Sequence, residues 1–163
     1  EIRPGRSRTE KNKTEWKPLR AKITDVRYGG SSVSSVGPGG TVGILTSLDP
    51  SIVKSDQLNG SVIGLPGKLP SVLHEVTIEP NLLERVVGTQ EELVVDPIKV
   101  NEPLMLNVNS AATVGIVTTV KKNAVVCALK IPVCAELKSR ITISRRVGNR
   151  FRLIGYGTIS LGH

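Results

Sequence analysis

Apolar residues in this chain recur mostly at every second position, in short runs broken by glycine, proline and charge, a pattern of strands rather than helices. Residues 19–28 (LRAKITDVRY) alternate, with Leu19, Ala21, Ile23 and Val26 apolar, and the parity slips at Asp25; this predicts one half-buried strand with a bulge. Residues 41–46 (TVGILT), short, apolar and free of charge, predict a buried strand, and residues 61–65 a second one. Between them SLDPSIVKSDQLNG reads as a polar crossing segment. Ahead of these, residues 1–5 read as the end of a strand and residues 6–18 (RSRTEKNKTEWKP) as a basic loop.

Two prolines and a glycine in residues 66–70 make a stiff connector. Beyond it, residues 72–78 alternate as a strand that residues 81–88 either continue or follow as a short helix, with Gly88 against the helix. A charged loop at 89–101 leads to strands at 104–108, 113–120 and 124–129, joined by turns at 109–112 and 121–123. A last hairpin pairs 140–147 (RITISRRV) with 150–159 (RFRLIGYGTI) around Gly148-Asn149.

Composition narrows the picture. The 163 residues are 39% hydrophobic with four aromatics (Trp16, Tyr28, Phe151, Tyr156), so the core is aliphatic, which suits strands. A formal charge of +8 favours a polyanionic partner. With so few aromatic rings, contact with the phosphates of folded RNA fits better than single strands read by stacking. No apolar run reaches the length of a membrane span and no signal-like start is present, so a cytoplasmic protein is expected. Cys127 and Cys134 lack companion ligands and His74 and His163 are remote from each other, so no zinc signature forms and both cysteines are expected to be reduced. No nucleophile elbow or paired carboxylates suggest catalysis.

Three groups of residues carry candidate chemistry. Gly37-Pro38-Gly39-Gly40 is a turn whose glycines tolerate positive φ and let another backbone approach, followed by Thr41. Arg140, Arg145, Arg146, Arg150 and Arg152 crowd the last hairpin, and arginine suits bidentate phosphate contact; the alternative is a wet outer face. Lys11, Asn12 and Lys13 mark the basic loop as a partner contact or a free tip. Asn12-Lys13-Thr14-Glu15 mimics a guanine-specificity motif but follows no buried strand, and the sequons at Asn12 and Asn59 have no meaning in a cytosolic chain.

The glycine turn, strand, charged loop, strand and exit proline of residues 37–70 resemble the second, β-barrel domain of translational GTPases such as elongation factor Tu. NLLERVVG, EPLMLNVNSAATVGIVTTV, PVCAELKSRITISRRV and RFRLIGYGTI together resemble the third domain of the γ subunit of translation initiation factor two, the archaeal form best. The resemblance implies an all-β fold of two β-barrel domains, residues 1–65 belonging to the first, 66–70 the linker and 71–163 the second. It implies a whole protein that, with GTP and magnesium, carries methionylated initiator tRNA to the small ribosomal subunit. It further implies that the domain of residues 1–65, the second domain of the whole protein, binds the α subunit, while the β subunit binds the GTPase domain. Gly39, Gly40 and Thr41 would meet the tRNA terminus.

Two departures shape the expectation. Gly64-Leu65-Pro66-Gly67-Lys68 has the wrong spacing for a phosphate-binding loop and no following hydroxyl, so this stretch of chain is expected to bind no GTP and to hydrolyse nothing. The first barrel is also expected to lack its opening strands. A fragment of selenocysteine-specific elongation factor, and a stand-alone RNA-binding or scaffold barrel protein, are the other readings.

Overall fold

In the second half of the chain each strand turns one side inward, with the inward parity shifting at irregularities in β7 and β12, and the strands bend round until the inward side faces itself. The computed structural model describes residues 1–11, 13–88 and 93–160, with the side chains of residues 10, 13 and 55 outside that description. Strands β7 (Val72–Leu82), β8 (Pro103–Val108), β9 (Ala111–Val120), β10 (Val125–Cys134), β11 (Arg140–Val147) and β12 (Arg150–Ser160) close into a barrel in the order β10-β7-β12-β11-β8-β9. All its pairings are antiparallel. Leu104, Leu106 and Val108 point inward from β8 and meet Val117, Ile141, Ile143, Ile154 and Ile78. Burying each such side chain contributes about 1.5–3 kcal/mol. Gly115 is needed there for space, since a Cβ would sit 2.7 Å from Leu106 Cδ1.

The 89–101 loop is not only polar. Ile98 is buried in the barrel core, and Val86 and Val95 pack against it. The strand expected at 72–78 runs on to Leu82, so the segment after it begins as strand and not as helix.

The first half differs more from its sequence reading. β1 (Ile2–Glu10) and β2 (Lys13–Leu19) form a long hairpin where a basic loop was expected, with Lys11 at its tip at φ 46°. Cross-strand pairing, including a Thr9–Thr14 hydroxyl contact of 3.1 Å, holds charged residues in a ladder that patterning alone reads as coil. The strand read as 19–28 is divided: Leu19 ends β2, and β3 (Ile23–Tyr28) starts after a break, with the expected register shift between Ile23 and Asp25. β4 (Ser31–Ser32) and β5 (Val42–Thr46) flank β3 in one three-stranded sheet; β2, β1 and β6 (Val62–Ile63) make another.

β5 was expected to be buried and is not. Gly43, Ile44 and Leu45 are exposed, because β5 is an edge strand with no described layer over it. Ile23, Ile44, Ile63 and Leu65 instead line an open hollow of about 520 Å³. The polar crossing contains a short helix, α1 (Pro50–Val53), whose Asp49 cap accepts from Ser51 N at 2.8 Å, and a 3-10 turn, Lys54–Asp56. The Asp-Pro-Ser sequence carries that signal: a cap, then proline in the first turn. Described residues therefore form an all-β fold with one closed barrel and, before it, two small open sheets.

The two parts meet at the connector. Arg3 Nη1 donates to the carbonyls of Leu69 (3.1 Å) and Pro70 (2.8 Å), and Cys134 Sγ donates to Pro70 O at 3.3 Å.

Candidate nucleic-acid interface

The glycine turn lies between β4 and β5. Gly39 has φ +103° and Gly40 φ +77°, so both glycines adopt a backbone that side chains disfavour. A Cβ on Gly40 would stand 3.1 Å from the Tyr28 ring, which the glycine allows to lie across the turn. Tyr28 is half-exposed and pairs with Val42, while Thr41 is exposed just before β5. Replacement of Gly40 by valine would therefore strain the turn, whose φ is positive, and clash with the Tyr28 ring.

Tyr28 was not picked out in the sequence, although it is one of only four aromatics and precedes Gly29-Gly30. Beneath it Asp25 organises the sheet. Its carboxylate accepts from Ser32 Oγ (2.6 Å), Val26 N (2.9 Å) and Arg27 Nε (3.0 Å). Ser32 and Arg27 hold that carboxyl below the usual aspartate range.

On the barrel the arginines of the β11–β12 hairpin divide. Arg146 and Arg150 are exposed beside the Gly148-Asn149 turn, with Arg146 Nε donating to Gly148 O at 3.2 Å. Arg152 sits across from Arg145 and lies against Gly88, where a Cβ would be 2.9 Å from its Nη1. Arg140 is exposed but six residues from Arg146, about 20 Å along an extended strand. Arg145 is engaged internally. It forms a two-pronged ion pair with Glu102, and two further N–H groups donate to Asp96 O (2.9 Å) and Pro97 O (3.2 Å). Glu102 in turn accepts from Lys99 N at 3.0 Å. Arg145 thus locks the 96–102 loop to the barrel and is withdrawn from the set available to phosphate.

The glycine turn and the arginine hairpin lie on different sheets, and Lys11 on a third. Asn12 and the Lys13 side chain lie outside the described residues, as does His163. His74 is exposed on β7 although it shares the parity of the buried Val76 and Ile78, because β7 falls out of register with β10 between Leu73 and Glu75. Both cysteines are free, and burial pushes the Cys127 thiol up to about 12. Among the described residues no cluster could hold a metal ion, and no helix is long and apolar enough to cross a membrane.

Residues 74–159, most of the closed barrel and over half of the chain, match the family described as "Initiation factor eIF2 gamma, C terminal". The chain belongs to this eIF2 gamma family. Agreement with individual members extends beyond the barrel. Translation initiation factor 2 subunit gamma of Methanocaldococcus jannaschii is 52% identical over 159 residues, 98% of this chain and 39% of the relative. The same subunits of Methanothermobacter thermautotrophicus and Thermococcus kodakarensis are also 52% identical over the same shares. The chain thus spans 39% of the length of these eIF2 gamma relatives, and the aligned span takes in the two open sheets as well as the barrel.

Proposed function

We propose that the chain is the tRNA-carrying β portion of an initiation factor two gamma subunit. In the cytoplasm, with GTP, the whole protein would deliver methionylated initiator tRNA to the small ribosomal subunit. The observation that carries this reading is the family match over 74–159 together with 52% identity across nearly the entire chain. In this reading residues 1–65 belong to one domain and 71–163 to another, with 66–70 as the linker.

Gly39, Gly40 and Thr41 receive the tRNA terminus, and the half-exposed Tyr28 ring beside them offers a face on which a terminal base can stack. Arg140, Arg146, Arg150 and Arg152 meet RNA phosphates. The tip at Lys11, Asn12 and Lys13 faces the α subunit, while the β subunit docks elsewhere on the whole protein. GTP and magnesium do not fit the residues of this chain. Among the described residues, the loop that comes nearest in sequence to a phosphate cradle, 64–68, opens no helix: Lys68 N turns back to Leu65 O at 3.0 Å and β7 follows. No hydrolytic step is derived through these residues.

Titration with purified α subunit and with initiator tRNA tests the reading. Both are expected to bind, and Thr41→Trp, at an exposed position outside the positive-φ turn, is expected to lower tRNA affinity at least tenfold while sparing α. A folded chain that binds neither would overturn the assignment, and undiminished tRNA affinity in Thr41→Trp would remove the glycine turn from the site.

A further inference from the structure

The β1–β2 hairpin holds a pair of like charges that nothing in its folding requires. β1 bulges between Ile2 and Arg6, and the bulge depends on Gly5: its φ is +88°, and a Cβ there would lie 2.0 Å from Lys17 O. Bulges of this kind re-aim the side chains that follow them. Here the shift sets Arg6 directly opposite Lys17, and two residues on Arg8 lies opposite Glu15. By strand parity Arg6, Arg8, Glu15 and Lys17 share one face, while Trp16 stands on the other and lines a cleft against Ile131 and Pro132 of the barrel. Like charges directly opposite each other across an antiparallel pair destabilise it. Glu15, on the same face, stands opposite Arg8 rather than Arg6, and Asp49, which Arg6 also influences, has its carboxylate engaged with Ser51 N as the cap of α1. Over the basic face lies an open hollow of about 530 Å³ lined by Arg6, Ser7, Arg8, Thr9, Lys17 and Leu19.

We infer that the Arg6–Lys17 pair is a phosphate-binding site for the sugar-phosphate backbone of RNA, separate from both the glycine turn and the arginine hairpin of the barrel. A phosphate between the two cations turns their repulsion into shared attraction, and Arg6 supplies the planar fork that matches phosphate oxygens. Arg8, about 7 Å further along the same strand, faces Glu15 and so does not share the repulsion of the Arg6–Lys17 pair. The inference rests on the RNA-carrying reading above and adds to it a second point of attachment.

The test is fluorescence anisotropy of labelled initiator tRNA with the native chain, with Arg6→Gln/Lys17→Gln, and with Lys99→Gln/Lys130→Gln, which removes the same charge from exposed sites elsewhere. Each is titrated across a salt series. The Arg6/Lys17 variant is expected to bind more weakly at low salt and to lower the slope of log K against log salt by about 2, one for each cation removed from the phosphates. The control is expected to keep the native slope. Thermal unfolding at low ionic strength is expected to show no loss of stability in the Arg6/Lys17 variant, because a repulsive pair has been removed. If the native chain binds tRNA and the variant keeps its slope, the Arg6–Lys17 site is overturned and the RNA-carrying reading stands. An equal fall in slope for the control would overturn the site as a specific one. No tRNA binding by the native chain would overturn both.

Discussion

Thr113 is the buried hydroxyl on which the closed barrel depends. β10 falls out of register with β7 between Ala128 and Val133, leaving the Ile131 peptide groups off the ladder. Thr113 Oγ1 both donates to Ile131 O (2.8 Å) and accepts from Ile131 N (3.0 Å), closing the gap with one side chain. Thr113→Val keeps the volume and strands two backbone groups, a cost of about 1–3 kcal/mol, whereas Thr113→Ser should lose less. Denaturant midpoints of the two variants measure the difference. This role was hidden in the sequence, where Thr113 simply opens an apolar run. Which threonine meets a bulge depends on a strand eighteen residues away.

Among elements, the β11–β12 hairpin was the most legible. β11 alternates, the turn is glycine-asparagine, and the strand read as 140–147 is the strand observed. What could not be read was the division of labour among its arginines. The pairing of Arg145 with Glu102 is set by a long loop that returns to the barrel, and no local pattern marks it. For the same reason Ile98 looked like a loop residue and is a core residue. The opposite error arose at β1–β2, where dense charge masked a ladder, and at β5, where an apolar run suggested burial that an edge strand does not have. Glu102→Ala should release the 96–102 loop from β11. The expected loss is about 1.5–3 kcal/mol, the range of hydrogen bonds to charged groups, with Glu102→Gln milder; chemical denaturation followed by circular dichroism decides. An unchanged midpoint in Glu102→Ala would mean that Ile98 alone anchors the loop.

Across the whole molecule the contrast is between a closed barrel and open sheets. Inside the barrel each strand has neighbours on both sides, whereas β2, β4, β5 and β6 each have one free edge. Amides of Leu106, Val117, Ile141 and Ile154 are therefore expected to exchange with deuterium only through global unfolding, and those of β5 through local opening. Native-state exchange across a denaturant series would show it: the barrel amides should share one steep dependence and the β5 amides a shallow one. Convergence of both groups on a single steep line would instead make the chain one cooperative unit.

Barrel closure also fixes an order in time. β8–β9, β9–β10 and β11–β12 are neighbours in sequence and can pair as they are made, but β7 has its partners in β10 and β12. For a chain synthesised from its first residue, the earliest strand of the barrel waits for the latest. One of its edges stays open until Ser160 has emerged, and pairings so distant in sequence form slowly. The barrel of a chain that belongs to a family of initiation factors is thus itself closed, at each synthesis, by the last of its strands to leave the ribosome.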